Sequence, residues 1–440
     1  MLRRLTCAAW AICAVSSAAV AENPFKSSGP TPTEKKALAL IEKLAAADFR
    51  ERETAARDLA ALGDRARPVM KRVAATTDNP EVERRLEVLI AKLEHAELHN
   101  PRRVTFTGNK PIGQLLKEIA DQTGYKVNGG PDDEKQRLTV AWKDRTFWEA
   151  LDEVAEAAGL SVQANDYGEE AGGVSVHAND SFDPHVHRAG PFRVVATNIG
   201  SNQNRLLSGL PRKGLPVVNN GTLTLNLMLL SEPKNPMLGA QPVVVTAATD
   251  DTGASLLAGD DPNTRVSYYN SANYRGNNQY LYVNLGKPAR EATLIKELRG
   301  KVQLTLLAGT RPEITVEKLL TVKKKTFVSR TTELLIESVT EPSEAGFSVT
   351  LTAKHLHATH EDYAWSNAVY QRLEVYDEDG EKFVTTGATN MNQAPGSVSM
   401  TLPFVPPAGR KLGKPTKLVL VEWITAPREV EFSFKNVPLP

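Results

Sequence analysis

The chain has 440 residues, 41% of them hydrophobic and 24% charged, with 53 Lys and Arg against 52 Asp and Glu. That length makes room for several domains, each with a core of its own, and 29 Gly with 27 Pro are too few for a collagenous or wholly disordered chain. A formal charge of +1 provides no overall field to draw in nucleic acid or an anionic lipid surface.

The chain opens with Arg3 and Arg4, an apolar run from Leu5 to Val20, and the small-x-small triplet Ala19-Val20-Ala21. Together these predict a secretory signal peptide over 1–21, with an apolar run too short for a stable membrane span, and hence export to the periplasm or beyond the cell. Cys7 and Cys13, the two cysteines of the chain, would leave with it. A thiol-free mature chain excludes disulfides, thiolate metal sites and cysteine nucleophiles. Loss of Arg3 and Arg4 also turns the formal charge slightly negative.

After a Pro/Ser/Gly-rich linker over 22–33, residues 34–98 show four helical patterns. The first carries Leu38, Ile41 and Leu44; the second carries Ala55, Ala56, Leu59 and Leu62 and stops at Gly63. The third starts at Asp64, with Pro68 in its first turn and Val69, Met70 and Val73 inward. The fourth opens on Asn79-Pro80, a cap followed by proline at the first helical position, and carries Val82, Leu86, Leu89 and Leu93. Short turns between such helices predict two stacked helical hairpins. The stretch DFRERETAARDLAALGDRARPVMKRV from Asp48, followed by DNPEVERRLEVLIAKLE from Asp78, resembles HEAT-type repeats. The resemblance implies a small helical interaction module, too short for a long solenoid.

Residues 101–180 contain a duplication. VTFTGNKPIGQLLKEIADQTGYKV starts at Val104 and LTVAWKDRTFWEALDEVAEAAGLSV at Leu138, each reading strand, turn, helix, glycine stop, strand. In register, Ile112 matches Phe147, Leu116 matches Leu151, Ile119 matches Val154, and Gly124 matches Gly159. Helical spacing puts Ile112, Leu115, Leu116 and Ile119 on one face and Phe147, Ala150, Leu151 and Val154 on its equivalent, so both helices should pack on one small sheet of an α+β domain. The phrases KPIGQLLKEIADQTGYKV and RTFWEALDEVAEAAGLSV resemble the short N-terminal domain of secretins and TonB-dependent transducers. That family uses the domain as a periplasmic interaction and signalling module ahead of an outer-membrane barrel. Here the following sequence is too short and too irregular in its alternation for such a barrel, so the resemblance carries over the interaction role and not transport. Acidic side chains outnumber basic ones between 101 and 190, which speaks against nucleic acid as a partner.

Beyond a second linker, 181–190, the period changes to two. Thr222–Leu227, Gln241–Thr246, Gln279–Asn284 and Lys301–Leu306 read as strands, and a second set follows at Glu333–Val339, Phe347–Ala353, Val369–Tyr376, Ser397–Leu402, Lys417–Trp423 and Glu429–Val437. Asp377–Gly380 is a tight-hairpin signal. Many short strands between turns predict two β-sandwich modules, 191–330 and 331–440. The fold class is therefore multidomain: all-α hairpins, a duplicated α+β domain, then an all-β region.

Among candidate sites, His355, His357 and His360 stand out, because strand alternation would put His355 and His357 on one face, where two imidazoles can hold a divalent metal. Phe347, Val349, Leu351 and Ala353 share that parity, however, so the histidines equally continue an apolar face. His185 and His187 beside Asp183 have the same spacing. Tyr268, Tyr269 and Tyr274 fall in a loop between Gly253 and Gln279 that suits sugar or protein contact, or packing onto its own sandwich. Gly209–Gly214 has the two glycines of a phosphate loop, but Leu215 stands where the lysine must be. Asp250-Asp251 and Asp260-Asp261 are calcium candidates whose ordinary reading is turns, and Lys323–Lys325 reads as a solvated strand end. No catalytic motif is found, and no cofactor is expected beyond that possible metal. Trp142 and Trp148 are the aromatics singled out for partner contact, against core packing as the alternative.

The order of signal peptide, helical hairpins, duplicated α+β domain and sandwiches looks like that of exported multidomain proteins of planctomycete-type bacteria. The expectation is a non-enzymatic envelope protein with an envelope or secreted protein as partner; the alternative is a metal- or carbohydrate-binding β-sandwich protein.

Overall fold

The computed structural model describes residues 32–74, 76–130, 135–165, 172–178, 183–204, 220–257, 275–359, 363–407 and 409–440. The predicted signal peptide, Gly209–Gly214, Asp260-Asp261, the three loop tyrosines and His360 lie outside them. The chain divides into two units, Met1–Leu93 and Glu94–Pro440. Among the described residues no helix is long and apolar enough to cross a membrane.

In the first unit, helices α1 (Pro32–Lys43), α2 (Phe49–Ala61) and α3 (Arg67–Ala74) are followed by α4 (Pro80–His99), within which the division falls. Local chemistry sets the helix ends. The Asp48 carboxylate accepts from the Arg50 N–H at 2.7 Å, and Asn79 Oδ1 accepts from the N–H groups of Glu81 and Val82, which satisfies donors that a first helical turn otherwise leaves open. Ile41, Leu44, Leu59, Met70 and Leu86 are buried in one shared cluster, as their spacing predicts, whereas Leu38, expected on the same face, is exposed and Ala37 is buried in its place.

The second unit starts with two matching strand–helix–strand runs, β1 (Arg103–Pro111), α5 (Ile112–Thr123), β2 (Val127–Gly129), and β3 (Arg137–Thr146), α6 (Phe147–Ala158), β4 (Leu160–Asn165). Gly124 and Gly159 end the two helices in the left-handed region, at φ 74° and 62°, a conformation that costs other residues a Cβ clash. Thr146 and Glu149 form a capping box at the start of α6. One expectation fails: the helices do not share a single sheet. β1 pairs with β3, while β5 (Gly173–Ala178), from outside the duplication, inserts between β2 and β4. The core draws on both helices and both sheets.

The remaining strands, in chain order, are β6 (Val186–Ala189), β7 (Phe192–Asn204), β8 (Asn220–Ser231), β9 (Met237–Ala240), β10 (Val244–Asp250), β11 (Asn278–Leu285) and β12 (Leu294–Glu317). Then follow β13 (Lys325–Val328), β14 (Thr332–Val339), β15 (Phe347–His355), helix α7 (Tyr363–Ala368), β16 (Leu373–Asp377), β17 (Val384–Thr385), β18 (Thr389–Ala394), β19 (Ser397–Val405) and β20 (Pro415–Pro438). The segment 181–190, expected as a linker, contributes β6 to a sheet ordered β11-β8-β7-β6.

The division expected near residue 330 is not where the β region divides. β12 and β20 are each 24 residues long and pair antiparallel from Leu294↔Pro438 to Glu317↔Lys417. Lys417–Trp423 and Glu429–Val437, expected as separate strands, are thus one. The sheet β10-β12-β20-β16 spans two sandwich-like cores. The first joins Leu225, Leu227, Val283, Val302 and Leu304 to Val430, Phe432 and Phe434; the second joins Ile314, Val316, Leu334, Leu351 and Phe404 to Leu418 and Leu420. Prolines mask this continuity in the sequence. Pro427 of β20 pairs only with β12, and Pro312 of β12 only with β20, so each occupies a stretch with a neighbour on one side, where a missing N–H leaves no ladder position empty.

Gly300 lies opposite Phe432, and a Cβ there would meet the Phe432 ring at 2.6 Å. The ring fills space that only glycine leaves open. Although Phe432 is near the C-terminus, Phe432→Ala should therefore cost about 3–5 kcal/mol in urea unfolding. Amide exchange should rise in Leu223–Leu229 rather than in Phe347–Ala353; the opposite distribution would contradict the place of Phe432 in the first core.

Candidate functional site

Both tryptophans singled out for partner contact are in the core. Trp142 is 1% and Trp148 0% exposed, so neither indole offers a surface to a partner. Their N–H groups are used internally, Trp142 Nε1 donating to Glu153 Oε2 at 3.0 Å and Trp148 Nε1 to the Pro191 carbonyl at 3.0 Å. Trp148 packs edge-on to Phe147, which meets Tyr125 in the same way. Its bond to Pro191 ties the duplicated domain to the start of β7.

The histidine expectation also changes. β15 ends at His355, and Leu356 and His357 form a turn closed by the Ala358 N–H donating to the His355 carbonyl. A turn, not strand alternation, brings the two rings to 6.3 Å between centroids. His355 is half-buried against Trp365 at 5.4 Å, and its Nδ1 is enclosed without a hydrogen-bond partner among the described residues. Among the described residues no three His, Cys, Asp or Glu side chains gather as a metal site would require. His187 lies in β6, held below the ordinary imidazole range by burial and by Arg188. Asp250 is a turn organiser: its carboxylate accepts from the N–H groups of Thr252, Ala254 and Ala289, and these bonds hold it below the ordinary range.

A site that sequence reasoning missed lies between α6 and the β6–β7 pair. Asp152 is 7% and Arg193 3% exposed. Arg193 Nε donates to Asp152 Oδ1 at 2.8 Å, Arg188 Nε to Asp152 Oδ2 at 2.6 Å, and Arg193 Nη2 to Asp183 Oδ2 at 2.8 Å. Arg193 Nη1 is buried and has no acceptor among the described residues. These side chains line a cleft of about 180 Å³ together with Glu156. Pairing is what makes the burial tolerable, since an unpaired buried charge is far costlier than either partner alone in water. The available signals were a carboxylate four residues after Trp148 on an apolar helix face and an arginine inside Phe192–Ala196. Neither names its partner.

A second buried group sits where the duplicated domain meets the sheet holding β7 and β8. Glu232, 0% exposed, accepts from the Tyr125 hydroxyl at 2.7 Å and from the Arg102 N–H at 3.0 Å. Around it, Asn235 Nδ2 donates to the Leu98 carbonyl, Asn277 Nδ2 donates to Ser231 Oγ and to the Glu232 carbonyl, and Lys234 donates to the Asn100 carbonyl. Burial raises the Glu232 carboxyl from 4.5 to about 7, against the downward pull of its donors and of Lys234 and Arg102. The Tyr125 phenol is pushed up by the same burial and by the facing carboxylate.

Comparison with family models, curated proteins and solved structures gives no match for this chain.

The raised Glu232 value sets a pH dependence. The folded chain keeps the proton over a range in which the unfolded chain releases it, so this group's contribution is greatest below pH 4.5 and is lost as pH rises to about 7. The difference corresponds to about 3 kcal/mol. Glu232→Gln keeps an acceptor for Tyr125 and Arg102 but does not titrate. Denaturant unfolding should show the drop between acid and neutral pH shrinking by about that amount in the variant; equal pH profiles would refute it.

Proposed function

We propose that this chain is an exported, non-enzymatic envelope protein that acts through protein-interaction surfaces. The observation that carries the proposal is the duplicated strand–helix–strand unit, whose two helices end on matched left-handed glycines and whose apolar faces share one core. It supports the resemblance to the short N-terminal domain of secretins and TonB-dependent transducers. Helical start, duplicated domain and sheets also follow one another in an order that resembles exported proteins of planctomycete type. With Trp142 and Trp148 buried, contact falls to other side chains. Phe49 and Val88, 61% and 49% exposed on α2 and α4, are with Leu38 the large apolar groups that the helical module leaves to solvent among the described residues.

Export and interaction are tested together. The chain expressed in its native host should be recovered from the envelope or medium with Glu22 as its first residue, and crosslinking there should capture a defined protein that is lost when Phe49 and Val88 are both changed to Ser. A full-length cytoplasmic product would overturn the reading. Capture unaffected by the double change would move the interface off the helical module.

His355 favours a second reading, a metal- or carbohydrate-binding β-sandwich protein, because its enclosed Nδ1 lacks a partner among the described residues while His357 sits close by. The sugar form of this reading would use Tyr268, Tyr269 and Tyr274, outside the described residues. Zinc titration of the metal-free chain should then show one equivalent bound and lost in both His355→Ala and His357→Ala. Stoichiometric binding that survives both changes would remove these histidines as ligands.

A further inference from the structure

The sheet β11-β8-β7-β6 lays one face on the first sandwich core, and the duplicated domain covers part of the other. Leu230 is buried in the core of that domain and Met228 packs against it, so along β8 the cover ends near Met228. Beside and beyond this border Tyr280, Tyr282, Asn198 and Gly200 are exposed. Leu281, Val283 and Leu285 of β11 point into the core, which turns Tyr280, Tyr282 and Asn284 outward. Tyr280 is 56% and Tyr282 37% exposed, and residues two apart on a strand stand about 7 Å from each other.

The neighbouring strands extend this face. Asn226 lies opposite Tyr282 and Thr224 opposite Asn284, while Asn198 and Gly200 of β7 lie opposite Asn226 and Thr224. A bulge puts Asn198 there. Ala196 and Ile199 both pack on the core, three residues apart, because Thr197 is the extra residue at the register shift between Ala196 and Asn198. Strict alternation from Ala196 would instead turn Asn198 inward. Thr224 Oγ1 donates to Asn284 Oδ1 at 3.2 Å, and Gly200 has no side chain to stand above that row.

The chemistry of these positions selects the occupant. None of their side chains is charged, so they give a phosphate or an anionic headgroup no cation. They also lack the aliphatic centre that a protein interface buries, since Met228 is half-buried at the edge of the duplicated domain. They present phenol rings, apolar on the face and polar at the tip, beside amides that donate and accept. A pyranose ring matches both, with C–H groups on its flat side and hydroxyls around its rim. In a β-1,4-linked chain the rings form a flat ribbon, which suits a flat sheet face.

We infer that this face binds an uncharged β-1,4-linked polysaccharide, with successive sugar rings on Tyr280 and Tyr282 and their hydroxyls bonded to Asn226 and Asn198. The inference rests on the sugar-binding form of the second reading and moves its site from the loop tyrosines to the sheet.

Isothermal titration of the full purified chain with cellohexaose, mannohexaose and chitohexaose should show at least one of them bound with a Kd below about 1 mM. Changing both Tyr280→Ala and Tyr282→Ala should weaken that hexaose at least about tenfold, whereas Tyr280→Phe with Tyr282→Phe, which keeps the rings, should stay within about threefold of the parent. Asn198→Ala, an exposed change two strands away, should weaken it at least about threefold. Absence of binding by all three hexaoses at about 10 mM would overturn this inference and the sugar reading together. Binding undiminished by the alanine changes, or lost as fully with phenylalanine as with alanine, would overturn the inference alone and leave the sugar reading standing. Polygalacturonate bound more tightly than every neutral hexaose would overturn it too, by showing that charge selects the ligand.

Discussion

The antiparallel pairing of β12 with β20 is the constraint on which the β region depends. Two strands of 24 residues keep one face inward through two separate cores, and even-numbered residues do this in both halves of each strand: Leu298, Val302 and Leu304, then Ile314 and Val316; Leu418 and Leu420, then Val430, Phe432 and Phe434. A single extra residue reverses every side chain beyond it. β12 carries two, Ala308 and Glu313, at its register shifts after Leu307 and after Pro312, so the reversals cancel before the second core begins. Glu313 is then fixed in place. Arg372 Nη2 donates to it at 3.1 Å and the hydroxyls of Thr331 and Ser329 at 2.5 and 2.8 Å. Burial pushes its carboxyl up, and these partners more than offset that, leaving it below the ordinary range. The guanidinium of Arg372 lies 5.9 Å from both the Trp365 and Trp423 rings.

Buried charge recurs wherever structural parts of the second unit join. Asp152 with Arg193 links α6 to β7, Glu232 with Tyr125 links the duplicated domain to the turn after β8, and Glu313 with Arg372 links β12 to the residues before β16. The three are satisfied to different degrees. Arg372 and Glu313 are paired and further hydrogen-bonded; at Glu232 burial outweighs the pull of its donors and of Lys234 and Arg102. Arg193 keeps one donor over among the described residues. Apolar packing alone would join these parts without fixing their orientation, and directional pairs add that specification at the expense of desolvation.

Much of the duplicated domain was legible because its signals are local. Ile112, Leu116 and Ile119 repeat at helical spacing, Gly124 and Gly159 stop their helices, and the second copy repeats the pattern, so the elements could be placed residue by residue. Its sheets could not, since β5 lies outside the duplication and its pairing with β2 and β4 is chosen by long-range contact. The same limit applies to the candidate sites. Period and parity mark Trp148 and His355 as inward or outward, but whether an indole reaches a partner or Pro191, and whether a strand continues past His355 or turns, depends on neighbours distant in the chain.

The sequence by itself determined the succession of helical, mixed and β segments, the helix cap at Asn79, the glycine stops at Gly124 and Gly159, and the inward face of Phe347–Ala353, because propensity, capping and periodicity act over a few residues. Only the tertiary structure decided that the two final strand segments are one, that the β cores share a sheet across residue 330, and that Asp152 meets Arg193. Those outcomes rest on hydrogen bonds and charge pairs between residues far apart in the chain, for which no local pattern selects the partner.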